Sequence, residues 1–570
     1  MDAAGEDRYK WVALSNATLA ILLATLDASI TIIAMPDIFR GIHLDPLVPA
    51  NSFYLLWMIL GYLIVTSAFV VTVGRLGDMF GRVRIYNLGF VIFTVASLIL
   101  ALDPLDGRAG ATYLIVFRVV QGLGGACLMG NSAAIITDAF PVHQRGWALG
   151  INNIVGVSGM FVGLVVGGVL APIHWRLVFL ITVPVGLFGT IWAYKRLEER
   201  SLPRRARIDW LGNATFALGL LLVMIAITYG IRPAGGHPIG WGSPRVLGLL
   251  GGGIASLLAF LVVERRAAEP LFRLELFRIR AFVFGTLSTF LTSVSRGGLM
   301  FILILWLQGI WLPRHGYDFS QTPIWAGISM LPLTVGMLVA GPLSGRLSDR
   351  YGARGFATAG AVLSALGFVL LGLLPIDFDY AEFAVTLFLM GASMGLFASP
   401  NRASVMNSLP AWARGVGAGM NQTFQNSAQV LSIGVFFTLI TIGLAHSLPA
   451  HVVSGLQAHG VAAADAHRVA ALPPISVLFG TFLGYNPMAH LLGPHAMAAL
   501  SPADRAYIGG HAFFPSLISD PFRTGLHAAF AFAIVACLIA AVASGLRVTN
   551  RAAAVAAPTA TPPEVEADAA

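Results

Sequence analysis

The chain has 570 residues, of which 57% are hydrophobic and only 11% charged, with a formal net charge of +8. A soluble globular chain carries about 25% charged residues. This one cannot clothe a water-facing surface, which excludes a soluble enzyme or a structural protein and makes lipid the solvent for much of it. The positive balance does not point to nucleic acid, because the basic residues sit in short connections between apolar runs, not along one face of a soluble domain.

A bilayer core needs about 20 apolar residues in helical form, since no backbone polar group can stay unpaired in lipid. In chain order such runs fall at 11–36, 51–73, 84–102, 111–137, 147–171, 176–195 and 209–230, then at 245–264, 281–311, 323–346, 354–375, 380–408, 414–445 and 523–547. The opening residues MDAAGEDRYK are acidic and mixed, with no small-residue cleavage site after a short apolar core, so the first run reads as a retained helix. Cys127 and Cys537 each lie inside an apolar run; they form neither a disulfide framework nor a metal spacing and read as packing residues. With the first residues placed in the cytoplasm, Lys and Arg favour the inner loops by about two to one, and the bias alternates along the chain. The prediction is an all-α, multi-pass protein of the cell (inner) membrane with both termini cytoplasmic.

Two segments recur. GRLGDMFGRVR starts at Gly74 and GRLSDRYGARG at Gly345 (345 − 74 = 271); PVHQRGWALG starts at Pro141 and PAWARGVGAG at Pro410 (410 − 141 = 269). Two pairs with nearly equal offsets imply a duplicated unit. Both copies fall in inner loops, so the halves run parallel about an axis along the membrane normal. The expected organisation is a cytoplasmic N-terminus at 1–10, a six-helix bundle at 11–195, two extra helices with flanking loops at 196–280, and a second six-helix bundle at 281–547. The second bundle includes an external segment at 446–522, and 548–570 is read as a disordered cytoplasmic tail rich in Ala, Pro, Thr and Glu. Residues 446–522 read as a re-entrant or surface-lying hairpin capping the exit, with Tyr485, Asn486 and Pro487 breaking any spanning helix.

At these loops the sequence resembles the major facilitator superfamily, and within it the fourteen-helix drug:proton antiporter family, over nearly its whole length. Gly74, Arg75, Leu76, Asp78, Gly81 and Arg82 match the loop signature between helices two and three, with Asp349 as the acid of the second copy. The loop reads as a latch between the bundles or as plain topology charge. Arg118, Gln121, Gly122 and Gly124 are similar to the helix-four motif. An arginine in lipid costs roughly 2.5 kcal/mol or more; the resemblance implies that Arg118 aids proton transfer, the alternative being a static salt bridge. Gly159, Gly163 and Gly167 line one face of helix five, where small residues let backbones approach; Leu164 stands where the family has proline. Trp175, Arg176, Phe179, Pro184 and Gly186 fit the next signature, and Gln308, read as a residue of the substrate cavity, fits a later one.

Asp27, with Ser29 and Pro36, resembles the helix-one motif, although Ile32 replaces the family's asparagine. It lies about sixteen residues after Trp11, hence roughly 24 Å along the helix. It is read as exchanging a proton for a cationic substrate, or as a fixed ion pair. A proton crossing roughly 100 mV carries about 2.3 kcal/mol. Arg296 is a second deep arginine, and Arg402 sits near an inner helix end; an arginine facing a cavity would favour anionic or zwitterionic substrates, the alternative being a structural pair. Gln422, Gln425, Asn426 and Gln429 share a helical face beside Asn421 and are read as cavity-lining or as interhelical hydrogen bonders. No metal-ligand cluster, nucleotide loop or nucleophile motif is present, so no enzyme activity and no cofactor are expected. The partners expected are protons, a small-molecule substrate and the lipid bilayer, with the chain acting as a monomer. The function expected is proton-coupled export of drugs or other amphipathic compounds, or dedicated transport of one metabolite, antibiotic or siderophore.

Overall fold

The structure is a computed structural model and describes residues 3–45, 48–200, 209–237, 239–267, 269–270, 272–410, 413–482 and 486–547. Fourteen helices within them are long and apolar enough to cross a membrane. They are α1 (Arg8–Ile33), α2 (Phe53–Phe80), α3 (Arg82–Ala101), α4 (Gly107–Ala139), α5 (Trp147–Leu170), α6 (Leu177–Arg196) and α7 (Trp210–Gly230). They continue as α8 (Pro244–Arg266), α9 (Arg280–Arg314), α10 (Thr322–Ser348), α11 (Ala353–Leu373), α12 (Tyr380–Asn407), α13 (Val416–Ala458) and α14 (Phe513–Gly545). No strand occurs among the described residues. The expected tail at 548–570, Tyr485, residues 201–208 and the side chains of Asp349 and Arg414 lie outside what is described.

The duplication read from the loops is a duplication of packing. In the first half α1 packs on α4, α5 and α6, α3 on α4 and α6, and α2 on α4. In the second half α9 packs on α12, α13 and α14, α11 on α12 and α14, and α10 on α12. Each pairing recurs with α9–α14 standing for α1–α6. The repeated turns match at the level of one residue: Gly81 (φ 107°) and Gly352 (φ 94°) both occupy left-handed backbone that a side chain would strain, 271 residues apart (352 − 81 = 271). The halves meet along two seams, α2 on α13 and α5 on α10, which the same pseudo-symmetry relates.

The extra pair is outside both bundles. α7 lies against α2 and α13, over one seam, and α8 packs mainly on α7. Asp209 caps α7 by accepting the Gly212 N–H at 2.7 Å, and Ser243 caps α8 through Val246 at 3.3 Å. Such caps satisfy donors left open at a helix start.

The side on which α1 begins, here the proximal side, carries the α2–α3 turn; the opposite side is distal. The distal connection between α13 and α14 is shorter than the sequence suggests. α13 runs on to Ala458 through Pro449, and α14 already starts at Phe513. Between them short helices at Ala463–Ala470, Pro474–Phe482, Met488–Ala499 and Pro502–Gly509 fold into a small distal layer. Pro474–Phe482 touches α2, α9 and α13, and its Ile475, Leu478 and Phe479 are fully buried.

Candidate functional site

Deep in the first half, Asp27 and Arg118 form an ion pair with side chains 0% and 2% exposed. Gln121 completes the cluster: its Oε1 accepts from Arg118 at 2.7 Å, and its amide donates to Asp27 Oδ1 at 2.9 Å and to Ser97 Oγ at 2.8 Å. The guanidinium lies over the Tyr62 ring at 4.7 Å, and the Tyr62 hydroxyl reaches the Ala24 carbonyl at 3.3 Å. The carboxylate therefore faces neither lipid nor the central cavity; it lies where α1, α2, α3 and α4 converge. Tyr62 and Ser97 carried no sequence signal, because their contacts with this cluster span at least 24 residues of chain.

The loop signature builds a network on the proximal side. Arg82 meets Asp78 at 2.8 Å and Asp138, at the end of α4, at 2.7 Å. Glu199, just beyond α6, accepts the open N–H groups of Arg82 at 3.1 Å and Val83 at 2.9 Å at the start of α3. Apart from Glu199, at the start of the linker, these residues belong to the first half. Gly74 packs close to α4, a Cβ there coming 3.5 Å from the Gly130 carbonyl. Arg75 departs from the group: it donates to the carbonyls of Glu269, at 2.7 Å, and Pro270, in the linker from α8 to the second half.

The glycines of α5 press against α1. A Cβ at Gly159 would lie 3.0 Å from the Leu22 carbonyl, at Gly163 it would strike Ser29 and Leu26, and at Gly167 it would lie 3.1 Å from the Ile30 carbonyl. Leu164 points elsewhere: its carbonyl would lie 3.2 Å from a Cβ at Gly327, on α10, at the distal seam between the halves.

Between the halves lies a cavity of about 230 Å³, walled by α5 on one side and by α9, α10, α12 and α13 on the other. Arg296, Asn421, Gln425 and Gln429 line it, together with Arg402, Asn401 and Asn153. Gln422 and Asn426 instead bond to each other at 2.9 Å on the neighbouring stripe of α13. Gln308 is 1% exposed, in a single π-helical turn of α9 (Leu307–Trp311), and both its amide atoms lack partners among the described residues. The lining is exposed at Asn153, Arg402 and Gln425 and buried at Phe161, Leu299 and Leu333. Since α5 and α13 ascend from the proximal side and α12 descends to it, the cavity opens proximally. Distally it is closed where Gly168 meets the Ile324 backbone.

The family model described as Major Facilitator Superfamily matches residues 17–433. A riboflavin transporter of Clostridioides difficile is 27% identical over 77% of this chain and 90% of its own length. The tetracenomycin C resistance and export protein of Streptomyces glaucescens is 28% identical over 78% of this chain and 79% of its own. A multidrug transporter protein of Bacillus subtilis is 27% identical over 78% and 76%. Among solved structures, a bacterial homologue of the human lysosomal transporter Spinster, inward-facing, superposes with a TM-score of 0.54 at 16% identity, covering 94% of this chain and 97% of that one. A D-xylose–proton symporter gives 0.53 at 16% identity, covering 76% and 90%. With this match, the repeated bundles and fourteen spans, the chain belongs to the Major Facilitator Superfamily, in its fourteen-helix form, and is a membrane transporter, not an enzyme.

Proposed function

We propose that this chain exports small amphipathic compounds across the cell membrane in exchange for protons, by alternating access, as a monomer. The observation that carries the reading is the buried Asp27–Arg118–Gln121 cluster, a titratable carboxylate held by a cation inside a helical bundle. A buried charge is tolerated only when paired. Taking a proton, Asp27 gives up its ion pair, and Arg118 is left with the Gln121 oxygen, the Tyr62 ring and the Met58 carbonyl, 3.4 Å from Nε. The contact of α1 with α4 is thereby re-set by protonation, while α5 is fixed to α1 by its glycine face. A proton thus biases the first half as a unit.

The charge bias of the loops assigns the proximal side to the cytoplasm. The open cavity is then the inward-facing state that loads substrate, with Arg296, Asn421, Gln425 and Gln429 as contacts. Gly74, Arg75, Asp78, Gly81 and Arg82 serve as the proximal clasp, Arg75 tying α2 to the linker and so to the second half. Two of the relatives, named for antibiotic resistance and export and for multidrug transport, support an exporter; the riboflavin transporter supports a second reading, a dedicated carrier of one metabolite.

The test uses purified chain in proteoliposomes, a pH jump, and three probes: riboflavin, ethidium and anthracene-9-carboxylate. In Asp27→Asn, gradient-driven movement is lost while exchange of labelled for unlabelled probe survives. Unchanged gradient-driven movement removes Asp27 from the mechanism.

A further inference from the structure

The positive charges around the cavity have no negative partners among the described residues. No Asp or Glu lines it, yet Arg296 and Arg402 do. Arg296 is held only by neutral groups: Nη2 donates to Ser364 Oγ at 2.5 Å, which lies 2.8 Å from Ser393 Oγ, and the guanidinium sits 5.4 Å from the Phe397 ring centre. Its Nε is buried with no acceptor among the described residues. Arg402 forms no ion pair or hydrogen bond among them and projects into the open, proximal part of the cavity. Behind the wall a third arginine, Arg547, is fully buried; it donates to Asn401 Oδ1, and its Nε and Nη1 have no partners among the described residues. Asn401 in turn donates to Thr289 Oγ1 at 2.8 Å.

Arginine donors in a lipid-embedded protein are normally answered by carboxylates or carbonyls. Asp27, the acid deep in the first half, is already taken by Arg118. The rest of the lining suits the body of a ligand: Met160, Met300, Met337 and Met394 provide adaptable apolar contact, and Phe161 and Phe397 offer aromatic surface. We infer that the substrate is an amphipathic organic anion, whose carboxylate or sulfonate is bound by Arg296 and Arg402 and whose apolar or aromatic body lies against the methionines. Serines 364 and 393 position Arg296. The inference rests on the exporter reading only for the direction of transport. In that direction the inside-negative potential favours it: an anion leaving and a proton entering both carry positive charge inward.

The experiment is equilibrium binding to the detergent-solubilised full chain, with no proton gradient, using anthracene-9-carboxylate, its methyl ester and 9-anthracenylmethylammonium. The carboxylate is expected to bind at least tenfold tighter than either analogue. Arg296→Met and Arg402→Met each lose most of that preference, Arg402→Lys keeps it, and ester affinity is unchanged in all three, which certifies the fold. Equal affinity for the three probes, preference for the ammonium ion, or a carboxylate preference surviving in the Arg296→Met/Arg402→Met double variant overturns it. Asp27→Asn keeps the preference, so a failure of proton coupling is read separately from a failure of anion recognition. In proteoliposomes an inside-negative potassium diffusion potential accelerates carboxylate efflux; efflux indifferent to it also overturns the assignment.

Discussion

The two halves share a packing plan and handle charge in opposite ways. In the first half one acid and one arginine neutralise each other beyond the reach of water, with Gln121 filling the remaining hydrogen-bond positions. In the second half, three arginines stand near the cavity with no acid beside them among the described residues: Arg296 is held by a serine hydroxyl and Arg547 by an amide oxygen, while Arg402 has no hydrogen-bond partner there. The scaffold occurs twice, and the side chains at equivalent depths differ: the first half holds a charge-compensated site, which we propose responds to a proton, and the second an uncompensated one, which we propose binds an anion. Uncompensated charge of the second kind is tolerable because the cavity opens to water proximally, where Arg402 and Gln425 are exposed.

The sharpest way to break this contrast is to remove one arginine from each half. Arg118→Met leaves Asp27 buried without its cation, and breaking a buried pair costs about 3–5 kcal/mol. Arg296→Met removes a charge that has no ionic partner and relieves an unsatisfied Nε, so its effect on stability stays within about 1 kcal/mol in either direction. Thermal unfolding of both variants in detergent measures the difference. Similar losses would mean that the second-half arginine has a hidden partner and that the contrast is false.

The next largest effect concerns how each half brings its inner helices together. The first half uses glycines on α5 against α1; the second uses Gly297 on α9, where a Cβ would lie 2.8 Å from Gln429 Cα on α13. Gly163→Leu and Gly297→Ala both overpack a backbone contact, which typically costs about 1–3 kcal/mol. They should differ in readout. Gly163→Leu lowers thermal stability alone, whereas Gly297→Ala, next to Arg296, also weakens carboxylate binding.

Much of this was legible in the sequence, for one reason: lipid leaves the backbone no partner but its own ladder, so every span must be an apolar helix, and an even set of loop charges fixes their alternation. The repeated glycines of the loops carried the duplication down to single residues, Gly81 and Gly352. What stayed hidden is non-local. Arg547 sits at the chain position where a tail is expected to begin, and only the fold brings it 146 residues back to Asn401. Along α13 the helical period admits two adjacent stripes; it could not tell that Asn421, Gln425 and Gln429 face the cavity while Gln422 and Asn426 bond sideways. The extension of α13 to Ala458 was masked by Pro449 and by histidines at 446 and 451, a composition that reads as loop, whereas in the fold that stretch packs on the short helices of the distal layer.

A smaller effect tests whether the clasp joins the halves. Arg75→Ala removes two hydrogen bonds to linker carbonyls, worth about 1.5–3 kcal/mol each at most because the donor is charged, and less where water can replace them. Amide exchange in α7 and α8 should rise while exchange in α1 and α4 stays as it was. Faster exchange across the first half instead would place Arg75 among the groups that hold that half together, and not between it and the linker.

The smallest expected effect lies in the distal layer, which joins the halves without sharing their charge problem. Asp504 accepts from Ser501 Oγ at 2.6 Å and faces His459 Nδ1 at 3.0 Å; these contacts, Ser501 first, hold its carboxyl below the usual carboxylate range. A carboxyl whose folded pKa is depressed stabilises the fold above its unfolded value, near pH 4, and that contribution is lost as pH falls through the folded value. Ser501→Ala should therefore lower the melting temperature more at pH 7 than in acid near pH 2, where loss of the helix cap through the Asp504 N–H is the larger part of what remains. A difference that persists unchanged at pH 2 would mean that Ser501 acts only as the cap of Pro502–Gly509, through the Asp504 N–H at 3.1 Å. In that case the distal layer would be a packing element whose stability ignores external acidity, and response to protons would be confined to the first half.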